Sequence, residues 1–174
     1  KNIDISQINW KLASLTHKKT FLPKAGEYLF PKNLTLFQIQ SIMQKGKTLN
    51  REFTLIEGST AIDLKNNLLK NPYLTGEITD LEEGVYKPDT YFFKLGYPRS
   101  KLLNQMKTAQ EKLLNSVWKE KPKDFILKNK NELLILASII QKESRHIDDS
   151  KLVASVFINR LKNNMKLQSD VTLA

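Results

Sequence analysis

Two strand–turn–helix units follow one another in the first half of this chain, and their repetition is what most limits the fold. Gly26-Glu-Tyr-Leu-Phe30 has the chemistry of a short strand, and Pro31-Lys-Asn33 that of a turn. Thr35 with Gln38 three residues on makes a capping box. Leu36, Ile39 and Met43 then carry an apolar stripe, and Gly46 ends the predicted helix. About one period later the order returns. Phe53-Thr-Leu-Ile56 reads as a strand and Glu57-Gly58-Ser59 as a turn; Thr60 with Asp63 caps a stripe of Ala61, Leu64 and Leu68. Asn71-Pro72 stops the second helix, because the residue before a proline is driven out of helical geometry. One such unit cannot hide its apolar faces, so the pair is expected to form a small α+β module.

The second half is patterned differently. Gly76 to Pro88 reads as a connection, followed by the β-prone Asp89-Thr-Tyr-Phe-Phe93 and a break at Tyr97-Pro98. From Ser100 a helix is predicted to about Lys119, with Leu103, Met106, Ala109 or Gln110, Leu113, and Val117 with Trp118 near one face. Pro122 ends it. Asn129 to Lys162 reads as two further helices. The expected organisation is an α+β chain with a strand–helix region over 1–75, a connecting segment over 76–99 and a mainly helical region over 100–174. Ahead of the repeat, Ile5, Ile8 and Leu12 would share one side of a short helix.

Composition removes several function classes. With zero cysteines there is no disulfide, thiol chemistry or cysteine zinc site. His17 and His146 lie too far apart for paired-ligand spacing, so no metal is expected. No apolar run approaches the roughly 18 residues that cross a bilayer. Lys and Arg number 28 against 18 Asp and Glu, a net charge of +10. That excess suits either an anionic partner or simply a solvated lysine-rich surface. No basic block has interleaved aromatics, so nucleic acid is not expected as a partner.

The segment Asn129 to Arg145 is the sharpest in the sequence. Asn129 is a fair N-cap, and Glu132 three residues later completes a capping box. Leu133, Leu136, Ala137 and Ile140 follow helical spacing. Glu143 lies four residues after Ile139 and three after Ile140, so it is expected to project from the buried or half-buried side. An acid against apolar walls favours its neutral form, which general-acid cleavage of a glycosidic bond requires. The alternative is a helix-end glutamate paired with Arg145 or a lysine, and periodicity alone leaves both open.

Leu136-Ala-Ser-Ile-Ile-Gln-Lys-Glu-Ser144, Val153-Ala-Ser-Val-Phe-Ile-Asn-Arg-Leu161 and Met165-Lys-Leu-Gln-Ser-Asp170 resemble, in that order, blocks of the YceG-like (MltG) family of endolytic murein transglycosylases. Upstream, Ala25-Gly-Glu-Tyr28, Ile56-Glu-Gly-Ser-Thr60 and Glu83-Gly-Val-Tyr-Lys-Pro-Asp-Thr-Tyr91 resemble its other signatures, so the likeness spans about residues 20 to 173. It implies that Glu143 is the catalytic residue. Many relatives carry a second glutamate two positions earlier; here that position is Gln141, which leaves Glu143 alone in its block. Asn159, Arg160, Gln168, Ser169 and Asp170 match the downstream block and are implied substrate contacts. The bland alternatives are that Arg160 caps its helix, Asp170 starts the next element and Ser144 satisfies a carbonyl on its own helix.

The resemblance further implies a LysM-like first region, a catalytic second region truncated at its C-terminus, and no cofactor. The implied reaction breaks the bond between N-acetylmuramic acid and N-acetylglucosamine in peptidoglycan and leaves a 1,6-anhydro end. The implied partners are glycan strands, penicillin-binding proteins, and the outer side of the cytoplasmic membrane, reached through a segment not in this sequence. The family's pattern continues past Thr172 whereas this sequence stops at Ala174, so the stretch alone is expected to be weakly active or inactive. A non-catalytic glycan-binding or scaffold module is the alternative function. For Glu83 to Tyr91 the alternatives are lining the cleft or docking the two halves together, docking being preferred for Phe92 and Phe93.

Overall fold

The computed structural model describes residues 22–144 and 146–169. The short helix expected around Ile5, Ile8 and Leu12 lies outside them, as do His17, Arg145 and Asp170. In chain order the elements are α1 (Leu36–Lys45), β1 (Arg51–Thr54), α2 (Ala61–Lys70), β2 (Leu74–Thr75), β3 (Thr90–Phe93), β4 (Tyr97–Pro98), α3 (Arg99–Lys119), α4 (Lys130–Glu143) and α5 (Ile147–Lys162). The architecture is mixed α and β, helix predominating.

The two cap pairs expected in the strand–helix region both form as capping boxes. The Thr35 hydroxyl accepts from the Gln38 N–H at 3.4 Å while the Gln38 side chain accepts from the Thr35 N–H at 2.9 Å. Thr60 and Asp63 do the same at 3.1 Å each way. Each box satisfies two backbone donors that a helix start leaves orphaned. Gly46 ends α1 in the left-handed region, φ 68°, where its N–H reaches back to the Ile42 and Met43 carbonyls.

The first predicted strand does not form. Gly26 to Phe30 enters no ladder; it is held by one backbone bond, Leu49 N–H to the Glu27 carbonyl at 2.8 Å, and by Arg51, whose guanidinium grips the Glu27 carboxylate at 2.7 and 2.8 Å. With no strand beside it, Leu29 stays exposed. The strand of the second unit finds its partner further on. β1 pairs antiparallel with β3, Phe53 opposite Tyr91 and Glu52 opposite Phe92. β2 pairs in parallel with β4. Strand alternation sends Phe53, Tyr91 and Phe93 inward, so Phe93 is buried in the first core. Phe92 is 63% exposed on the uncovered sheet face, and the docking role expected of it is not met.

Two apolar clusters result. The first gathers Phe53, Leu55, Leu64, Leu68, Leu74, Phe93, Leu102 and Met106. The second holds Leu127, Leu136, Ile139 and Phe157, ringed by Trp118, Leu133, Ile140, Val153, Leu161 and Leu167. α3 serves both, giving Leu102 and Met106 to the first and Trp118 to the rim of the second. Its buried line is Leu102, Met106 and Gln110; Leu113 and Val117, expected on that face, are exposed. Residues four apart drift by roughly 40° on a helix of 3.6 residues per turn, so the covered stripe winds away from the straight face read off the sequence.

The segment Glu83 to Tyr91 fastens these parts together. Glu83 accepts from the Ala61 N–H at 2.8 Å at the start of α2. Gly84 sits at φ 74° so close to α4 that a Cβ there would meet a Leu134 methyl at 3.1 Å. The buried Gln110 amide donates to the Gly84 carbonyl at 3.3 Å, and the Lys87 N–H to the Met106 carbonyl at 3.3 Å. At the start of α3, Arg99 spreads its guanidinium over the end of α2, donating to the carbonyls of Leu68 at 2.8 Å and Asn71 at 3.0 Å, and to Gly76 beyond it at 2.8 Å. The last carbonyls of a helix are short of intrahelical donors, the Leu68 carbonyl keeping the Asn71 N–H at 3.3 Å beside the guanidinium, and a cation suits the negative end of the dipole.

Candidate functional site

The site lies where α4 hands over to α5. α4 begins at Asn129, whose side chain accepts from the Glu132 N–H at 2.9 Å. The reciprocal half of the expected box is displaced by one residue: Glu132 accepts from the Lys128 N–H at 2.7 Å and from the Asn129 side-chain amide at 3.1 Å. Leu136 and Ile139 bury the inner face, while Ala137, expected there, is exposed. At the far end Ser144 is extended, φ −96°, and its hydroxyl bonds to the Ile140 carbonyl at 2.7 Å. That is the helix-satisfying role the sequence offered for it. The same hydroxyl meets that of Ser150 at 2.7 Å, which staples the end of α4 to the first turn of α5.

Glu143 is thus the last helical residue, at the mouth of a concavity of about 350 Å³. Leu152, Val153, Val156 and Phe157 of α5 form one wall; Arg160, Gln168 and Ser169 complete it. The expected apolar enclosure of Glu143 is not found. The residue is exposed, because the last turn of α4 overhangs the second core and the apolar side chains facing it, Leu152 and Val156, are themselves 68% and 48% exposed. What holds its carboxylate is a hydrogen bond donated by the Ser169 hydroxyl to Oε1. Among the described residues Glu143 makes no ion pair, and it is the only carboxylate lining the hollow.

Ser169 reaches Glu143 because the chain turns back after α5. The Asn164 N–H bonds to the Leu161 carbonyl at 3.1 Å and the Met165 N–H to the Arg160 carbonyl at 2.8 Å, with Asn164 at φ 54°. This is a Schellman stop built on asparagine, one of the few residues that tolerate left-handed geometry. The Arg160 guanidinium then bonds to the Leu167 carbonyl, Leu167 packs on the second core, and Gln168 takes φ 52°. Ser169 ends up 3% exposed.

Of the residues singled out in the sequence, Glu143, Arg160, Gln168 and Ser169 therefore meet in one hollow. Asn159 is exposed on α5 and is not among the lining residues; its carbonyl accepts from the Asn163 side chain at 3.0 Å. Asp170 lies outside the described residues. The apolar wall of Leu152 and Val156 was not singled out, although their i, i+4 spacing on a helix marks a shared face. Gln141 points elsewhere: it donates to Glu57 at 3.2 Å, tying α4 to the turn before α2. A larger, open hollow of about 580 Å³ lies at the opposite end of α4, beside Trp118 and Lys128 to Asn131. None of the described residues that line it is an acid, and the Lys121 ammonium stands 4.7 Å over the Trp118 ring.

An α+β chain with one acid at a helix end, held by a returning loop, carries the ordered blocks of a single family, and the whole-chain comparison agrees. The chain belongs to the YceG-like family, whose model matches residues 3–174. Among individual proteins, it is 37% identical over 92 residues to the endolytic murein transglycosylase of Streptococcus pneumoniae serotype 2 (strain D39 / NCTC 7466), covering 52% of this chain and 16% of that protein. To the endolytic murein transglycosylase of Bacillus subtilis (strain 168) it is 36% identical over 92 residues, 48% of this chain and 24% of the relative. The matched stretch thus spans less than a quarter of either relative's length.

Proposed function

We propose that the protein containing this chain cleaves peptidoglycan glycan strands internally, at the bond from N-acetylmuramic acid to N-acetylglucosamine, with Glu143 as its acid and base. The observation that carries this reading is the single carboxylate among the described residues that line the hollow. Hydrolytic glycosidases generally use two carboxyl groups about 5–9.5 Å apart, one of them for a nucleophilic or water-activating step. A transglycosylase needs one. Protonated Glu143 gives its proton to the glycosidic oxygen as the C1–O bond breaks. The 6-hydroxyl of the muramic residue then attacks C1 and returns its proton to the Glu143 carboxylate. The ring closes as a 1,6-anhydro sugar, no water is consumed, and the acid is restored.

The names of the two relatives support this reading, as does the apolar wall of Leu152 and Val156, which suits the less polar face of a sugar ring. The same reading makes the first region LysM-like and places the protein on the outer side of the cytoplasmic membrane beside penicillin-binding proteins, where a charge of +10 would favour anionic lipid. No helix among the described residues is long and apolar enough to cross a membrane.

Glu143→Gln is the test, since it keeps the shape and removes the transferable proton. Products from purified sacculi are read by mass spectrometry. The natural protein is expected to release fragments one water lighter than hydrolysis products, and the variant to lose at least a hundredfold in rate, within the range of removing a general acid. Unaltered cleavage by the variant sinks the assignment of Glu143. Reducing ends in place of anhydro ends would make the protein a muramidase, and retained glycan binding without cleavage by the natural protein would make it a binding module.

A further inference from the structure

We infer that Arg160 is a positioning residue, which aims Glu143 through the loop that follows α5 rather than by meeting the substrate; this rests on the catalytic reading of Glu143. The guanidinium of Arg160 donates to the Leu167 carbonyl, and its own carbonyl accepts from the Met165 N–H at 2.8 Å. Arg160 therefore clamps both ends of the turn 165–167. Leu167 is further fixed by packing on the second core. Two residues on, Ser169 is buried and its hydroxyl bonds to Glu143 Oε1.

The chain of contacts has a mechanical consequence. Glu143 is exposed and sits in the last turn of a helix, where a glutamate side chain would otherwise sample several rotamers. A bond to Oε1 restricts the carboxyl group and leaves Oε2 as the oxygen that carries the transferable proton toward the hollow. It also stabilises the carboxylate left behind once that proton has gone to the leaving oxygen, so its benefit grows as the reaction proceeds. Gln168 sits between the two anchors at φ 52°, so the loop has a defined local conformation rather than a slack one. Losing the Arg160 side chain leaves the backbone bond to Met165 but releases the Leu167 carbonyl, which withdraws Ser169 and reaches Glu143 only through it.

A positioning role and a substrate-binding role predict different kinetics. Arg160→Ala and Ser169→Ala are each expected to lower kcat by roughly ten- to hundredfold, the loss expected of one hydrogen bond to a charged group, with KM on glycan strands of defined length nearly unchanged. The double variant should be no slower than the slower single one, since both act on one contact. Ser169→Thr, which keeps the hydroxyl, and Arg160→Lys, which keeps a donor for the Leu167 carbonyl, should recover most of the rate. A KM that rises while kcat holds assigns Arg160 to the substrate and overturns the proposal, as do additive losses in the double variant.

Glu143→Gln measured alongside separates the two readings. If it is inactive while Ser169→Ala and Arg160→Ala keep full kcat, the latch fails and the catalytic assignment stands. One readout needs no turnover at all. In the whole natural protein the carboxyl carbon of Glu143, observed by NMR, should shift by the same amount in Ser169→Ala and in Arg160→Lys,Ser169→Ala. In Arg160→Ala it should shift likewise. An unmoved resonance in Arg160→Ala, with the fold intact by melting temperature, overturns the inference whatever the enzyme does.

Discussion

The two apolar clusters of this chain are built to different degrees of closure. In the first, Leu68, Leu102 and Met106 have no measurable exposure, and charged or amide side chains seal its seams: Arg99 over the end of α2, Glu83 at its start, Gln110 on the Gly84 carbonyl. In the second, the inner residues Leu136, Ile139 and Phe157 are buried, yet Leu152 and Val156 one layer out stand open on the hollow that holds Glu143. Scattered exposed apolar residues need no explanation, but a pair on one helix face beside an acid in a concavity does. The first cluster is sealed at its seams; the second leaves apolar surface uncovered beside Glu143. Residues that stabilise and residues that act should therefore separate along the chain.

The strongest way to break that contrast is a pair of truncations. Leu68→Ala removes a fully buried side chain and is expected to cost about 2–5 kcal/mol, read as the shift in a denaturant midpoint at constant slope. Leu152→Ala removes a side chain of the same size from open surface and should change stability by no more than about 0.5 kcal/mol while weakening glycan turnover. Comparable destabilisation by the two would show that the second cluster is as closed as the first.

A middle-sized effect is expected from Arg99→Met. The carbonyls of Leu68, Asn71 and Gly76 would lose the guanidinium, Leu68 keeping only the Asn71 N–H, at a cost of roughly 1–3 kcal/mol. Arg99→Lys should recover only part of it, because a single ammonium cannot span three carbonyls as a planar fork does. Full recovery by lysine, in thermal melts, would reduce the contact to simple charge at the end of a helix.

Much of this was legible in the sequence, and the misses have physical reasons. Both capping boxes, the glycine stop of α1 and the helical second half follow from local rules that act within a few residues. The register of the sheet does not: β1 and β3 are thirty-odd residues apart, and nothing in Gly26 to Phe30 reveals that its place beside β1 is held by an Arg51–Glu27 ion pair instead of a ladder. Glu143 could be located on the correct helix face from spacing, but its exposure could not, since spacing says which way a side chain points and not where the core beneath it ends. Ser169 is a similar case. Its block marked it, yet its bond to Glu143 depends on a left-handed Asn164 and on Leu167 finding the second core, neither of which a motif encodes.

The smallest effect sharpens the contrast from the side of charge. Tyr91, beneath the first sheet, donates its hydroxyl to the Lys87 carbonyl at 2.7 Å. Desolvation first, and the nearby Asp89 carboxylate second, push its ionisation from the ordinary 10.0 up to about 12. The folded chain therefore holds that proton more tightly than the unfolded one. The stabilisation is complete below the unfolded value and is lost as pH rises through the window from about 10 to 12, where the unfolded state releases its proton first. Tyr91→Phe should flatten the fall of melting temperature across that window, leaving the part due to Tyr86, which burial also raises. An unchanged slope would mean that the first region is no better sealed around β3 than the second is around Glu143.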